Sequence, residues 1–342
     1  MIEFSQAVTD NVIFHKVSVD DASMQLNKES IEISSEEETD LIRKIFLKPF
    51  LTAGASYEFK NDIALDLNTL YTLSKEILND GNFIIGSINI CKHLKNVSKH
   101  PNIKDGDVFV IKFVDVLFKG QLCEALGIYK IENKEAFIEN SMTANGKAEL
   151  KFKRGISGRK LDKACLILFT NEPYTVLTID TVNVETEYWK NEFLNVQLKH
   201  DPLNTTSKFL SLTKSFITDK LPEEFEISKA DQIDLLNRSV KYFKNHESFV
   251  RNDFEDQVLQ DKEMITAFKS FGKNYADESN LDVTHGFEIS QQAVKRQARI
   301  FKSVLKLDRN FHVYIHGNRD LIEQGVDGDG RKFYKLYYKE EN

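Results

Sequence analysis

A run of positive charge that contains no acidic residue lies near the end of the chain. Residues 289–307 read ISQQAVKRQARIFKSVLKL and contain no aspartate or glutamate. If 293–306 forms a helix, its cations fall at helical spacing on one face, beside an apolar face that packs on the domain. The phosphate backbone of a duplex is the partner that such a face suits. The candidate phosphate contacts are Lys295, Arg296, Arg299, Lys302, Lys306 and Arg309.

The pattern leaves the conformation of 300–307 open. A strand there would place Lys302 and Lys306 on one face with Val304 and would interrupt the continuous basic stripe. Further on, RKFYKLYYK at 331–339 interleaves cations with aromatic rings, which can stack on the bases of single strands.

A second basic stretch, KFKRGISGRKLDK at 151–163, holds six basic residues and one acidic residue. We take Arg154, Arg159 and Lys160 as its candidate phosphate contacts. The whole chain is nevertheless acidic, with a formal charge of −7 over 342 residues, while residues 289–339 carry +6 and residues 219–288 carry −7. Such asymmetry is informative about partners, because binding depends on the local field rather than on the net charge.

Metal and nucleophile chemistry finds less support. His312 and His316 are four residues apart on a strand pattern, so their Cα atoms are about 13 Å apart, too far to share a metal. DGDG at 327–330 lacks the later glutamate of a calcium loop and predicts a hairpin turn. The patterns GxSxG, GxxxxGK[ST] and GxGxxG are absent from the sequence. We expect no catalytic residue, no metal and no cofactor.

A metal-dependent nuclease is an alternative that the basic stretches raise. Such an enzyme needs clustered carboxylates with a nearby lysine. Glu149 and Lys151 form an E-x-K pattern on a predicted strand, with Asp107 or Asp115 upstream. The same pattern recurs at 132–134, which shows how easily chance produces it.

The predicted secondary structure that positions these residues differs between the two halves of the chain. In the first half, NVIFHKVSV (11–19) predicts a strand, and Ser34 and Ser35 with the following glutamates predict a capped helix that Pro49 ends. Residues 68–97 predict helices interrupted near Gly81, and the two apolar runs around Lys119-Gly120 predict a hairpin. KAELKFK, ACLILFT and YTVLTID continue the antiparallel pattern, for a sheet of about five strands.

In the second half of the chain, the sequence pattern predicts mostly helices. A polar stretch around 185–205 predicts a link between the halves. Apolar stripes predict helices at 205–217 and 228–245, with two more at 251–261 and 262–277, and strands follow at the end. The fold class is α+β: an N-terminal antiparallel sheet with flanking helices, then a helical region followed by a C-terminal antiparallel β segment. We expect domains at 1–199 and 200–342, the second with helices at about 205–285 and with the basic amphipathic segment and the strands at 286–342.

Bulk features favour a soluble protein of the cytoplasm. No window approaches the roughly 18 apolar residues of a membrane span, and the first residues lack the pattern of a signal peptide. The three cysteines, Cys91, Cys123 and Cys165, are widely spaced and predict buried thiols in a reducing compartment.

Four long segments carry a resemblance to a known family. They are residues 87–107 (SINICKHL to HPNIKDGD), 188–196 (YWKNEFLNV), 219–244 (DKLPEEFEISKADQIDLLNRSVKYFK) and 291–327 (from QQAVKRQARIFK to IEQGVD). In these segments the chain resembles the bacterial 37-kDa nucleoid-associated protein family, or NdpA-like proteins. The resemblance implies a cytoplasmic protein of the nucleoid that binds DNA, and it carries over no catalytic motif and no set of DNA-contacting residues.

The expected function is therefore non-catalytic binding of double-stranded DNA with low sequence specificity, with a part in chromosome organisation. An adaptor that binds other nucleoid proteins is the other alternative, since the acidic 219–288 region could face a protein partner. We expect no membrane partner, and the sequence leaves a homodimer open.

Overall fold

The computed structural model describes residues 2–18, 20, 23–79, 81–158, 160–181, 188–279, 286–298, 304–315 and 319–340. Contacts between residues divide the chain into two compact units, Met1–Lys199 and His200–Asn342. The first unit holds a large antiparallel sheet with flanking helices, and the second is mainly helical and ends in small antiparallel hairpins. The predicted α+β class is confirmed.

One sheet organises the first unit. Among the described residues it has eight strands in the order β1-β4-β5-β8-β9-β3-β10, with β2 paired to β4 beside β1, and its pairs are antiparallel. The strands of this unit are β1 (Ile2–Glu3), β2 (Val8–Val17), β3 (Tyr57–Phe59), β4 (Gly106–Phe118), β5 (Gln121–Ile131), β6 (Glu135–Met142), β7 (Ala148–Gly155), β8 (Lys163–Leu168), β9 (Thr175–Asp180) and β10 (Val196–Leu198).

Two sequence predictions about this sheet were wrong. The sheet exceeds the five strands expected, and KAELKFK does not belong to it, because β7 pairs with β6 in a separate two-stranded sheet. The alternation of KAELKFK gave the right element, but alternation does not specify which strand will pair with it.

Both faces of the large sheet are buried. Leu126 and Ile128 of β5 face one apolar cluster, whereas Ala125 and Tyr129 face another. The first cluster includes residues of α2 (Thr69–Leu78) and α3 (Phe83–Val97). The second includes Phe46 and other residues that follow α1 (Glu36–Ile42) in a π-helical turn and a 3-10 turn. Burial of both faces explains why these strands read as continuous apolar runs.

Local signals fix the ends of several elements. The Ser35 hydroxyl accepts from the Glu38 backbone N–H, and the Glu38 carboxylate accepts from the Ser35 N–H, which forms the predicted capping box. At the β4–β5 turn, Lys119 and Gly120 have φ values of 52° and 81°, the left-handed backbone of a tight hairpin.

Residues 188–198 are not the polar link that composition predicted. Trp189 and Phe193 are buried in a π-helical turn (Trp189–Leu194), and β10 then pairs with β3 in the large sheet. The spacing of the apolar residues outweighs the polar residues between them, so this stretch completes the core of the first unit.

The second unit is built around an aromatic core. Phe209 lies at its centre, with the rings of Phe243, Phe249 and Phe254 within 6 Å. The Ser228–Asp231 capping box begins α6 as predicted. Its helices are α4 (Pro202–Ser215), α5 (Leu221–Glu224), α6 (Lys229–Asn245), α7 (Arg251–Phe254), α8 (Lys262–Ser279) and α9 (Gln291–Ala298). Its strands are β11 (Ser248–Phe249), β12 (Phe287–Glu288), β13 (Val304–Leu307), β14 (Phe311–Tyr314), β15 (Ile322–Val326) and β16 (Lys332–Leu336).

Candidate nucleic-acid interface

The first part of the basic run is a short helix, α9, that is fixed at its start. Ala293 and Val294 are buried, and the Gln291 side chain donates to the carbonyls of Phe243 and His246 at the end of α6, at 3.1 and 3.3 Å. The next two residues, Lys295 and Arg296, are therefore turned away from the core and are exposed.

The second part of the run is a hairpin, not a continuation of the helix. β13 pairs with β14, so that Lys306 lies opposite His312 and Leu305 lies opposite Val313. Leu305 is buried against Ala230 and Ile233 of α6, whereas Lys306 is exposed on the other face. Period-two alternation of Leu305, Lys306 and Leu307 explains this strand.

Of the two conformations that the sequence left open for 300–307, residues 304–307 adopt the strand, so one helical stripe of cations over 293–306 does not form. α9 ends at Ala298 and Lys306 lies on a strand, so the two parts present their cations from different elements. Arg309 is exposed in the β13–β14 turn, just after Asp308 at a φ of 51°. Arg299 and Lys302 lie outside the described residues.

Helix α6 is the common support of both parts. α9 is anchored near its carboxyl end at Phe243, and β13 packs near its amino end at Ala230 and Ile233. The seventeen residues of α6 span about 25 Å at 1.5 Å per residue. We call Lys295, Arg296, Lys306 and Arg309 the C-terminal basic surface. Its two parts are held near opposite ends of this helix, a distance over which a duplex presents many phosphates.

Ion pairs divide the cations of this region into two groups. Arg319 pairs with Asp231, Lys335 pairs with Glu323 at 3.2 Å, and Arg331 pairs with two aspartates of the 327–330 turn. In the described ranges, no ion pair is formed by Lys295, Arg296, Lys306, Arg309, Lys332 or Lys339. Exposed cations that form no ion pair can exchange small counterions for phosphates.

The second predicted patch is weaker than its linear charge suggested. Lys151 pairs with Glu149 at 3.3 Å, and Lys153 pairs with Glu139 on the neighbouring strand. Lys163 is buried and pairs with Asp180 at 2.6 Å. Arg154 and Lys160 are exposed, and Arg159 lies outside the described residues.

Two positions near the basic surface had escaped the list of candidates. Lys332 is exposed on β16, and Tyr314, on the same face of the β13–β14 hairpin as Lys306, is 66% exposed. The period-two alternation of FHVY predicts that His312 and Tyr314 share one face of a strand, and the β13–β14 register places both on the face of Lys306.

Thiol and metal chemistry gains no support in the part of the chain that the structure describes. Burial raises the pKa of Cys123 to about 11 and raises the pKa values of Cys91 and Cys165 further. Among the residues that the structure describes, no three histidines, cysteines or carboxylates lie close enough together to hold a metal. The DGDG segment is the predicted hairpin turn: the Asp327 carboxylate accepts from the Asp329 and Arg331 backbone N–H groups at 3.0 and 2.8 Å.

The alternative nuclease residues are not assembled into a site. Glu149 and Lys151 pair with each other on β7, whereas Asp107 lies on β4 of the large sheet and pairs with Lys134 at 2.5 Å.

A cleft of about 550 Å³ in the second unit is a further candidate site. Its charged lining includes Asp231 with Arg319 and Asp234 with Arg238, and each of these carboxylates already pairs with its arginine. Both arginines of the lining are therefore engaged, and the remaining charged groups, Glu226 and Asp320, are acidic, so the cleft does not suit an anionic ligand such as phosphate.

Comparisons with known proteins identify the family. No curated protein and no solved structure matches the chain. Within the described ranges, no helix has both the length and the apolar character needed to cross a bilayer. The sequence model of a family described as nucleoid-associated protein YejK matches residues 13–329, which is most of the chain. Association with the nucleoid places the protein in the bacterial cytoplasm, with the chromosome. The chain belongs to this family of nucleoid-associated proteins.

Proposed function

We propose that this protein binds double-stranded DNA directly, without catalysis and with little sequence preference, through the C-terminal basic surface. The observation that carries the proposal is the exposure of Lys295, Arg296, Lys306 and Arg309, which form no ion pair with any described residue although the chain has a net charge of −7. Local positive charge that is left without ion pairs attracts anionic partners even in an acidic protein, and membership of a nucleoid-associated family supports the chromosome as that partner.

The chemistry of these groups accounts for the low sequence preference. Lysine and arginine contacts to phosphate fix the position of a protein on a duplex but do not read its bases. The support from α6 keeps the two parts of the surface at a set separation, so several phosphates of one duplex can be bound together. Affinity should be modest and strongly dependent on salt, since the remainder of the second unit is acidic.

The salt dependence has a magnitude that follows from the count of cations. Each phosphate contact contributes about 0.9 to the slope of log K against log salt concentration. Four contacts give a slope of about −3.6, which corresponds to a loss of affinity of roughly 100-fold between about 50 and 200 mM salt.

Fluorescence anisotropy with a labelled duplex over a salt series tests the proposal. The test variant replaces the four residues of the surface: Lys295→Gln, Arg296→Gln, Lys306→Gln and Arg309→Gln. The control variant removes four exposed lysines of the acidic 219–288 stretch that form no ion pair with a described residue: Lys241→Gln, Lys244→Gln, Lys262→Gln and Lys273→Gln. Both variants change the net charge by the same amount.

We expect wild type and control to bind DNA with similar slopes of log K against log salt concentration. The test variant should bind much more weakly at low salt, and the magnitude of its slope should be smaller by about 3 to 4. Equal losses in both variants would mean that net charge, not this surface, governs binding. If wild type fails to bind even at low salt, the protein reaches the nucleoid through another protein, and the adaptor alternative replaces ours. The same duplex incubated with Mg²⁺ or Mn²⁺ should remain uncut.

A further inference from the structure

A two-stranded hairpin in the first unit is separate from the large sheet. Strands β6 and β7 pair only with each other among the described strands, from Glu135 opposite Gly155 to Met142 opposite Ala148. Apart from Ser141 and Gly155, every residue of both strands is exposed. We call this hairpin, residues 135–155, the arm. An isolated two-stranded hairpin is only marginally stable in water, so an exposed arm calls for a partner surface.

The register of the arm sorts its residues onto two different faces. Directly opposite residues share a face, and the faces alternate along each strand. One face carries charge that is paired within the arm, Glu139 with Lys153 and Glu149 with Lys151. The other face is apolar, and four layers of opposite residues form it: Ala136 with Arg154, Ile138 with Phe152, Asn140 with Leu150, and Met142 with Ala148.

The large apolar side chains of this face are more exposed to solvent than such side chains usually are. Ile138 is 59% exposed, Met142 68%, Leu150 60% and Phe152 78%. Side chains of this size at such exposures present roughly 100 to 180 Å² each, so the four present about 500 Å² in one patch. A contiguous apolar patch of this size is at the upper end of what a single chain exposes and is often a binding surface.

The chemistry of the face argues against DNA as its occupant. Arg154, at the base of the arm, is the one cation on this face, and the lysines of the opposite face are paired with glutamates. Phosphate binding therefore has little to attract it here. An apolar surface of another protein is the occupant that the four exposed side chains suit.

We propose that the apolar face of the arm packs against the same face of a second copy of this chain, related by a two-fold axis. Two such patches bury about 1,000 Å² together, which reaches the size at which specific interfaces begin. The arm carries three acidic and four basic residues, a net charge of +1, so two arms can approach although each chain is acidic.

The order of the layers suits such a pairing. Two sheets stacked about 10 Å apart with antiparallel arms would set the Ile138–Phe152 layer of one copy on the Asn140–Leu150 layer of the other. The Met142–Ala148 layer would meet Ala136 and the aliphatic stem of Arg154, whose guanidinium reaches water beyond the tip of the partner arm. Each layer thus places large side chains against smaller ones, as self-complementary packing requires.

This inference goes beyond the proposed function, because the arm belongs to the first unit and uses none of the C-terminal basic surface. A dimer would carry two such surfaces, so that binding of one of them to DNA would raise the effective concentration of the other. Failure of the dimer would leave DNA binding by a single chain untouched.

Sedimentation velocity over a range of protein concentrations tests the dimer. The test variant is Leu150→Thr with Phe152→Thr, which keeps β-forming residues but removes the two largest apolar contacts of β7. The matched control is Glu149→Thr with Lys151→Thr, which makes the same change on the other face of the same strand and leaves the net charge unchanged. We expect a wild-type dimer, a control that stays dimeric, and a test variant whose dimer dissociation constant rises at least about 100-fold.

Cross-linking provides a readout that does not depend on the stability of the test variant. Asn140 lies near the middle of the apolar face, so Asn140→Cys in a Cys123→Ser background, treated with a short bis-maleimide, should give a cross-linked dimer. Cys123→Ser alone, in which Cys91 and Cys165 are buried, should not give it. A monomeric wild type at tens of micromolar overturns the proposal. So does a test variant as dimeric as wild type, or a dimer that Asn140→Cys fails to cross-link.

Discussion

Replacing Phe209 by alanine should unfold the second unit at lower temperature and leave the first unit unaffected. The Phe209 ring is fully buried, and ring centroids of Phe249, Phe254 and Phe243 lie 4.3, 5.4 and 5.7 Å away. Truncation of a buried phenylalanine costs about 3 to 5 kcal/mol, because the transfer energy and the packing around the cavity are both lost. For a unit of this size, each kcal/mol lowers the Tm by roughly 3 to 5 °C, so the Tm of the second unit should fall by about 15 °C.

The molecule contains a natural reporter that separates the two units. Its single tryptophan, Trp189, is buried in the first unit, so tryptophan fluorescence follows the unfolding of that unit. Calorimetry follows both units. We expect Phe209→Ala to shift one calorimetric transition and to leave the fluorescence transition in place. Phe193→Ala, whose ring lies 4.8 Å from that of Trp189, should shift the fluorescence transition together with the other calorimetric transition. If either variant shifts both transitions together, the two units unfold as one, and separate domains are refuted.

Two further predictions concern titrating side chains. Burial lowers the pKa of His15 to about 4, and its Nδ1 already accepts from the Asn27 N–H at 3.1 Å, so the folded chain holds the neutral ring. Since the unfolded pKa is about 6.5, stability should be full above that pH and decline as the pH falls toward 4, and His15→Gln should flatten this decline in urea unfolding followed by Trp189 fluorescence. Burial alone would raise the pKa of Asp231, but hydrogen bonds from Ser228 and the charge of Arg319 lower it below its ordinary value. Ionised Asp231 therefore stabilises the second unit above about pH 4, and this stabilisation is lost as the pH falls below that. Arg319→Met should cost the second unit about 1 kcal/mol near neutral pH and weaken this acid dependence, whereas Arg331→Met, in an exposed turn, should cost less than about 0.5 kcal/mol.

Local chemistry in the sequence was enough to predict many elements. The capping boxes at Ser35 and Ser228 and the hairpin at Lys119-Gly120 depend on groups within four residues of each other, so the sequence reveals them directly. Apolar periodicity likewise predicted α4 and α6, because each buries one stripe against the aromatic core.

Long-range pairing was what the sequence could not supply. Nothing local to KAELKFK indicates that β7 pairs with β6 outside the large sheet, although its alternation does differ from the continuous apolar run of β8. The same applies to residues 304–307, where partners on β14 and a buried contact of Leu305 with α6 select the strand over the helix. Tertiary contacts decide short segments whose local pattern fits both conformations.

The two basic stretches show why the candidate site was only partly predictable. By net charge along the sequence, residues 151–163 rank nearly as high as residues 289–339. However, Glu139 pairs with Lys153 although it is fourteen residues away, because the β6–β7 register makes the two residues neighbours. In the C-terminal region, the acids engage Arg319, Arg331 and Lys335, and they leave Lys295, Arg296, Lys306 and Arg309 without a described ion pair. Partners in space, not linear charge density, therefore decide which cations remain free of ion pairs, and this is why the proposal assigns the DNA contact to the C-terminal basic surface and not to the arm.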